Sequence, residues 1–514
     1  MYGRDLRFPL FLAGLLCALP APAGELRLHR YTVGVDEALQ QISVRACFDG
    51  PAPHSLVAES LDASLALAEA RIEGTRTRLE PNGAELGLAG MQDDGCLNYR
   101  SALLIHGGRH QGSSGAARRV GPDVVTDVGT WLWRPRSLAQ NEDVELRFIL
   151  PQGLSVSAPW TAVRDAQGGI TAYRLGRTPH DWPAAVAFGS FREREIDTGG
   201  ARLRVALLHG APAVEWDLVR QWLTRAAEAV STSYGRFPVD EAQVVVVPGA
   251  RGDEPVPWAF VLRGGRPALH FFINQREPLA AFMVDWTAVH EMSHLLLPYV
   301  RAEDAWLSEG LASYYQNVLR ARAGMLPVAE AWQRMHAGFR RGMRSMPGTS
   351  LAAATERMHR DGAYMRVYWY GAALLFMADQ RVRERTQGRH SLDTLLRDLR
   401  ACCLGGRQAW QAVRLFAKLD QLSGTGVFSE LYEQHIASTR FPDLAETYRR
   451  LGIGPNASGE SIELLAQGPR IADRDAIMSP PSGMSPPAGM SPPFGTLAPT
   501  GMSAPSGIAR PDQR

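Results

Sequence analysis

The sequence predicts a multidomain chain: an N-terminal β-sandwich, then an α+β domain that is mainly helical, then a disordered C-terminal tail. Three observations carry this reading. At 514 residues the chain exceeds what one hydrophobic core ordinarily serves, so two or three domains are expected. Near Ala213 the hydrophobic period changes from the alternation of strands to the spacing of helices. From Ile471 onward, Pro, Gly, Ser and Met displace the residues that build cores.

Composition sets outer limits. A hydrophobic content of 45% with 12 Trp excludes a wholly disordered chain. The 55 Lys+Arg against 53 Asp+Glu leave a net charge of +2, which gives no bulk attraction for nucleic acid or an anionic membrane. Lys418 is the only lysine; GC-rich coding accounts for that bias, and no Arg-specific function is read from it.

The first residues form an address. Arg4 and Arg7 flank a charged start, residues 8–19 are apolar, and Ala21-Pro22-Ala23 places small residues at a cleavage site. This pattern predicts a signal peptide over residues 1–23, cleaved after Ala23. The apolar run falls short of the roughly 20 residues a membrane span needs. Leu16 precedes Cys17 where a lipid-attachment site would carry a small residue. The mature protein is therefore expected to be exported, periplasmic or secreted, without a transmembrane segment.

Residues 24–200 are expected to form the sandwich, with β-rich segments at 26–35, 41–48, 77–88, 143–150 and 201–208 punctuated by Gly, Pro, Asn and Asp. Cys47 and Cys96 lie in this region and could pair under oxidising conditions. His29, His54, His106, His110 and His180 are scattered without ligand spacing and are taken as ordinary histidines. Residues 201–460 are expected to form the second domain. It holds a helix over 214–234, strands over 242–247 and 267–273, and helices over 279–298, 305–323, 327–343, 364–386, 391–402, 408–419 and 427–438. Cys402 and Cys403 are adjacent and lack the paired spacing of a structural zinc site; a vicinal disulfide, another partner and free thiols all stay open. Arg334, Arg340, Arg341 and Arg344 are read as a solvated helix face. The tail, 471–514, repeats Met-Ser-Pro-Pro at 478–481, 484–487 and 490–493. It cannot bury a core and is read as a solvated extension, with an adhesive or interaction tail as the functional alternative.

The chemical signal is His290-Glu291-Met292-Ser293-His294. Histidines four positions apart share one helix face, so both rings can reach one zinc ion, and Glu291 stands beside them to take a proton from the attacking water. The flanking residues are apolar, which favours a buried, low-dielectric site. With 13 His in the chain, chance would produce this motif only about 0.03 times. A zinc hydrolase takes three protein ligands and leaves one position open. Glu309 is the third candidate, 15 residues after His294 on a second apolar helix that can pack antiparallel to the first. Asp304 falls in the connection and is a poorer candidate.

His290 to His294 followed by Trp306-Leu307-Ser308-Glu309-Gly310 resembles the gluzincin metallopeptidases, the clan of thermolysin and the M1 aminopeptidases. Closer similarity is to the M61 glycyl aminopeptidases and related exported peptidases of the clan. Tyr368-Trp369-Tyr370-Gly371 is similar to the M1/M61 Tyr-x-Lys-Gly helix, and the resemblance spans roughly residues 200–455. It implies a thermolysin-like catalytic domain and one Zn2+ held by His290, His294 and Glu309. It also implies Glu291 as general base and later proton donor, and Tyr368 donating to the tetrahedral oxyanion. Two departures matter: Tyr370 replaces the family Lys, and residues 255–260 lack the acid that binds a substrate α-amine in M1 and M61 enzymes. Asp253 and Glu254 precede that stretch, and the 267–273 strand is expected to offer an edge for β-pairing with an extended peptide. The resulting expectation is an exported zinc metallopeptidase acting on a peptide or protein substrate, first an M61/M1-like aminopeptidase. The alternatives are an endopeptidase of the same clan and a zinc-stabilised binding protein without activity.

Overall fold

This computed structural model describes residues 25–105, 115 and 117–481. The leader, His106, His110 and the repeats beyond Pro481 lie outside the described residues.

The N-terminal domain is a sandwich of a seven-stranded and a four-stranded sheet. Arg27–Val35, at the middle of the larger sheet, pairs antiparallel with Gln41–Cys47 and parallel with Glu142–Ile149. Alternation along these strands sends Tyr31, Val33, Ile42, Val44, Val144 and Leu146 into a core shared with Val124, Val186 and Phe188 of the smaller sheet. Cys47 faces Cys96 across adjacent strands, and the two form a disulfide. Asp123–Asp127 and Ala185–Gly189 are buried on both faces, because the smaller sheet is itself covered. Val125, Ala185 and Ala187 on its outer face pack against Ala206, Val245, Val247 and Phe272 of a third sheet.

That third sheet belongs to the second domain. Its order is Glu193–Thr198, Ala201–Leu207, Glu241–Pro248, Ala268–Ile273 and Trp258–Leu262. The boundary therefore falls before Glu193 and not at residue 200. Gly199 and Gly200, at φ +59° and +74°, make a tight hairpin turn between two paired strands, and a Gly pair marks a turn as readily as a linker. Ala268–Ile273 is an interior strand, buried throughout, so the expected edge at 267–273 is corrected: Trp258–Leu262 forms the edge. Strand order depends on long-range pairing, which local pattern does not encode.

Helices cover the other face of this sheet. The single helix expected over 279–298 is broken into Leu279–Met283, Thr287–Ser293 and a 3-10 turn, His294–Leu296. At the first break Asp285, which precedes the Trp286 N-cap, accepts from Ala288 N through Oδ2 at 2.9 Å and so serves a first-turn N–H of the new helix. Ala305–Arg322 and Tyr364–Arg385 pack together as the centre of the domain. Within the 77–88 segment only Glu85–Gly87 is a strand, and Leu67–Ile72 supplies a further one. The segment from Ile471 was expected to be disordered. Ile471–Ile477 is instead helical with Ile477 buried, because Arg322 donates to the Ile477 carbonyl from inside the domain. Cys402 and Cys403 are bonded to each other. Among the described residues, no helix is long and apolar enough to cross a membrane.

Candidate active site

Thr287–Ser293 is buried along its whole length between the sheet and the Ala305–Arg322 helix. One helical turn separates His290 from His294 and brings their ring centroids to 5.0 Å. The second helix supplies Glu309. Its Oε2 lies 3.3 Å from His290 Nε2 and 3.7 Å from His294 Nε2. Glu291 lies slightly farther out, Oε2 to His294 Nε2 being 4.0 Å.

The other ring nitrogens are engaged outward. His290 Nδ1 is 2.8 Å from Gln316 Oε1, and His294 Nδ1 is 2.8 Å from Ser308 Oγ. Both partners are on the helix that carries Glu309. An Nδ1–H donating to each leaves both Nε2 lone pairs facing the same carboxylate oxygen, which is the tautomer a metal requires. Sequence reasoning missed Ser308 and Gln316. The available signal was their position on the Glu309 helix, Ser308 adjacent to it and Gln316 two turns on.

Buried Glu291 and half-buried Glu309 crowd the two imidazoles, and although burial opposes it, the hydrogen bond from Glu309 and the nearby Glu291 charge raise His290 above its ordinary value. Burial, opposed by His290 and reinforced by Glu309, pushes the Glu291 carboxyl up to about 7. Burial likewise pushes His294 down to about 4, holding it neutral. Glu309 is held below the usual carboxylate range because His294 and His290 outweigh its burial. A buried carboxylate is costly unless paired or coordinating a cation. Ligand atoms of His290, Glu291 and His294 fall within 4.8 Å of one another, and Glu309 approaches both imidazoles more closely than Glu291 does. His290, His294 and Glu309 are thus an N, N, O set able to hold one divalent ion of the zinc type.

Tyr368 closes the site from the Tyr364–Arg385 helix. Its ring stacks on His290 at 5.9 Å and 21°. Burial, with Glu309 and Glu291 nearby, pushes its phenol well above the ordinary value, so it remains a proton donor. Paired glycines allow this placement. A Cβ on Gly371 would sit 2.1 Å from the Trp306 carbonyl oxygen, and one on Gly310 2.4 Å from the Gly371 carbonyl carbon. The two helices cross backbone to backbone, one residue from Glu309 and three from Tyr368. Tyr370 points elsewhere, donating to the Arg440 carbonyl at 2.9 Å, so the departure from Lys touches packing and not the site.

Residues 255–260 run past the start of the histidine helix, where Val256 O accepts from Thr287 Oγ1 at 3.1 Å. Glu254 there is partly buried, its carboxyl raised by burial and by Asp285, while Asp253 is exposed.

A β-sandwich stacked on a mixed sheet, with the histidine helix and the Glu309 helix beneath it, is the fold of the M1 zinc metallopeptidases. The aminopeptidase N family protein of Idiomarina loihiensis superposes with a TM-score of 0.62 at 13% identity, over 83% of this chain and 78% of that one. The M1 zinc metallopeptidase of Deinococcus radiodurans gives 0.52 at 15% identity, over 82% and 95%. Native yeast LTA4 hydrolase gives 0.51 at 12% identity, over 83% and 71%. No protein-family profile matches the chain, and no curated protein sequence matches it either.

Proposed function

We propose that this chain is an exported zinc metallopeptidase that hydrolyses peptide bonds. One observation carries the proposal: three ligand-type atoms of His290, His294 and Glu309 converge with their outward nitrogens already satisfied, and Glu291 stands beside them. When bound, zinc polarises the scissile carbonyl and acidifies the attacking water. Glu291, with its carboxyl near neutrality, takes the proton of that water and returns it to the leaving amine. Tyr368, still protonated, donates to the oxyanion as its charge develops. Export is part of the proposal; it is supported by the leader pattern of residues 1–23 and by the Cys47–Cys96 disulfide.

Aminopeptidase action is the first mode proposed, because the fold is that of the M1 enzymes. The Deinococcus radiodurans enzyme has been captured with a Tyr-Ser-Ala substrate, which makes short free-amine peptides the first to test here. A specific observation favours endopeptidase action as the second reading: residues 258–262 form the edge strand beside the site and carry no acid for an ammonium group.

The deciding experiment compares matched free-amine and N-blocked peptides with the mature wild type and Glu291→Gln. Turnover on free-amine peptides that falls about 10²–10⁴-fold in the variant, with zinc retained, supports the aminopeptidase. Turnover on blocked peptides selects the endopeptidase. Undiminished turnover in Glu291→Gln overturns the mechanism, and bound zinc with no hydrolysis of either set points to the binding protein.

A further inference from the structure

Arg263 follows the edge strand Trp258–Leu262 and reaches the far end of the histidine helix. One guanidinium nitrogen, Nη2, donates to the His294 carbonyl at 2.7 Å and to the Leu297 carbonyl at 3.4 Å. These carbonyls bracket the 3-10 turn His294–Leu296, which carries the second histidine. The His294 carbonyl also accepts from Leu297 N at 3.3 Å, so the guanidinium is a second donor to it, and a cation at a helix C-terminal end is favourable. The helix itself is only seven residues long, so its C-terminal end has little internal support.

The backbone that carries Arg263 is gripped by the other domain. Gly264 N donates to Pro183 O at 2.8 Å, Trp160 Nε1 donates to Gly264 O at 3.2 Å, and Arg266 N donates to Pro159 O at 2.6 Å. No side chain fits between: a Cβ on Gly264 would lie 2.4 Å from the Trp182 carbonyl oxygen, and one on Gly265 2.5 Å from that of Pro159. Trp182 also packs its ring edge-on against Tyr299, at 4.6 Å, just beyond the 3-10 turn.

We propose that Arg263 is a positioning residue for the metal site, through which the β-sandwich domain sets where His294 presents its Nε2. The inference rests on the zinc reading above and adds that the sandwich is part of the metal site's framework. The chain of contacts runs from Trp160 and Pro183 to Gly264 and from Pro159 to Arg266, then through Arg263 to the His294 carbonyl.

The test uses the full mature chain and reads metal directly. Zinc affinity is measured by competition with a chromophoric chelator, and ligand geometry by the visible absorption of the Co2+-substituted protein. Arg263→Met is expected to weaken zinc binding about 10–100-fold, the range for lost outer-shell partners, and to change the cobalt spectrum. Arg263→Lys keeps a cationic donor and should recover part of the loss. Trp160→Phe removes the indole N–H together with part of the buried ring and should produce a smaller change in the same direction. If Arg263→Met fails the folding check by circular dichroism, the Lys and Trp160 variants decide. Zinc binding within about twofold of wild type together with an unchanged cobalt spectrum overturns the proposal. A wild type that binds no zinc overturns the zinc reading as well, so the two failures are told apart.

Discussion

Two clusters of buried charge sit within the same helical layer, and they are built on opposite principles. Behind the site, Arg322, Arg383, Asp379 and Asp393 form a balanced set. Asp393 accepts from both Arg322 nitrogens at 3.0 and 2.9 Å and from Tyr315 OH at 2.8 Å, while Asp379 accepts from Arg383, Tyr314 and Leu392 N. Arg322 also donates from Nε and Nη2 to the Ile477 carbonyl, which ties down the C-terminal helix, and from Nη1 to the Thr232 carbonyl. Each charge has its opposite. At the site, His290, Glu291, His294 and Glu309 bring two carboxylates and two imidazoles together without an arginine, and Glu309 Oε2 faces both Nε2 atoms at 3.3 and 3.7 Å instead of making a bidentate pair. Closure marks a cluster that serves the fold. Convergence of ligand-type atoms on one point marks a cluster suited to holding a cation.

The largest effect should come from opening the balanced cluster. Asp393→Ala strands Arg322 and Tyr315 and weakens the hold on Arg383, and breaking a buried pair by removing one partner costs about 3–5 kcal/mol. Thermal or urea denaturation of this variant should show a clear drop in midpoint, with zinc affinity in the remaining folded protein unaltered. An intact midpoint with lost zinc would erase the distinction between the clusters.

The site should respond in the opposite sense when its charge is removed. In the zinc-free protein the Glu291 carboxyl titrates near 7, against 4.5 for the unperturbed group. Between those values the folded state holds a proton that the unfolded state has released, so stability falls as pH rises from about 4.5 to about 7 and is level above that. The full swing attributable to this residue is about 3 kcal/mol. Glu291→Gln lacks the ionisation. The difference between its denaturation midpoint and that of wild type should therefore grow in the variant's favour across that window. Parallel curves would show that the Glu291 charge is compensated in the folded protein, as in the other cluster.

Most of the candidate site was legible in the sequence because it is local. His290, Glu291 and His294 lie within five residues, and helical geometry alone puts both rings on one face. Glu309 was legible because its helix is apolar and follows after a short connection. What escaped depends on distant chain segments. Arg263 enters from a strand connection held by another domain, and nothing in its neighbourhood marks it. The edge position of Trp258–Leu262 is decided by which strands pair with Ala268–Ile273. Residues 471–477 were assigned to the tail because of the composition that follows them, and their order comes from Ile477 packing into the core and from the Arg322 guanidinium donating to its carbonyl.

Ser308 and Gln316 escaped for a different reason, and they give the finest test of the comparison. A serine and a glutamine on a helix are unremarkable until the histidines are seen to need outward partners. Both accept from an Nδ1 at 2.8 Å, yet their surroundings differ: Gln316 is 9% exposed and Ser308 is partly open to solvent. Replacing Gln316 by Met leaves the His290 Nδ1–H without a partner in a place water does not easily reach. Zinc affinity should then fall toward the 100-fold end of the roughly 10–100-fold range for lost outer-shell contacts. In Ser308→Ala a water can take the place of the hydroxyl, and the loss should stay near 10-fold. Chelator competition on the two variants reads the order directly. If both losses are equal, solvent access is irrelevant to how these histidines are held. If neither is measurable, the Nδ1 contacts are incidental, and the convergence of the Nε2 atoms rests on the helix backbone alone.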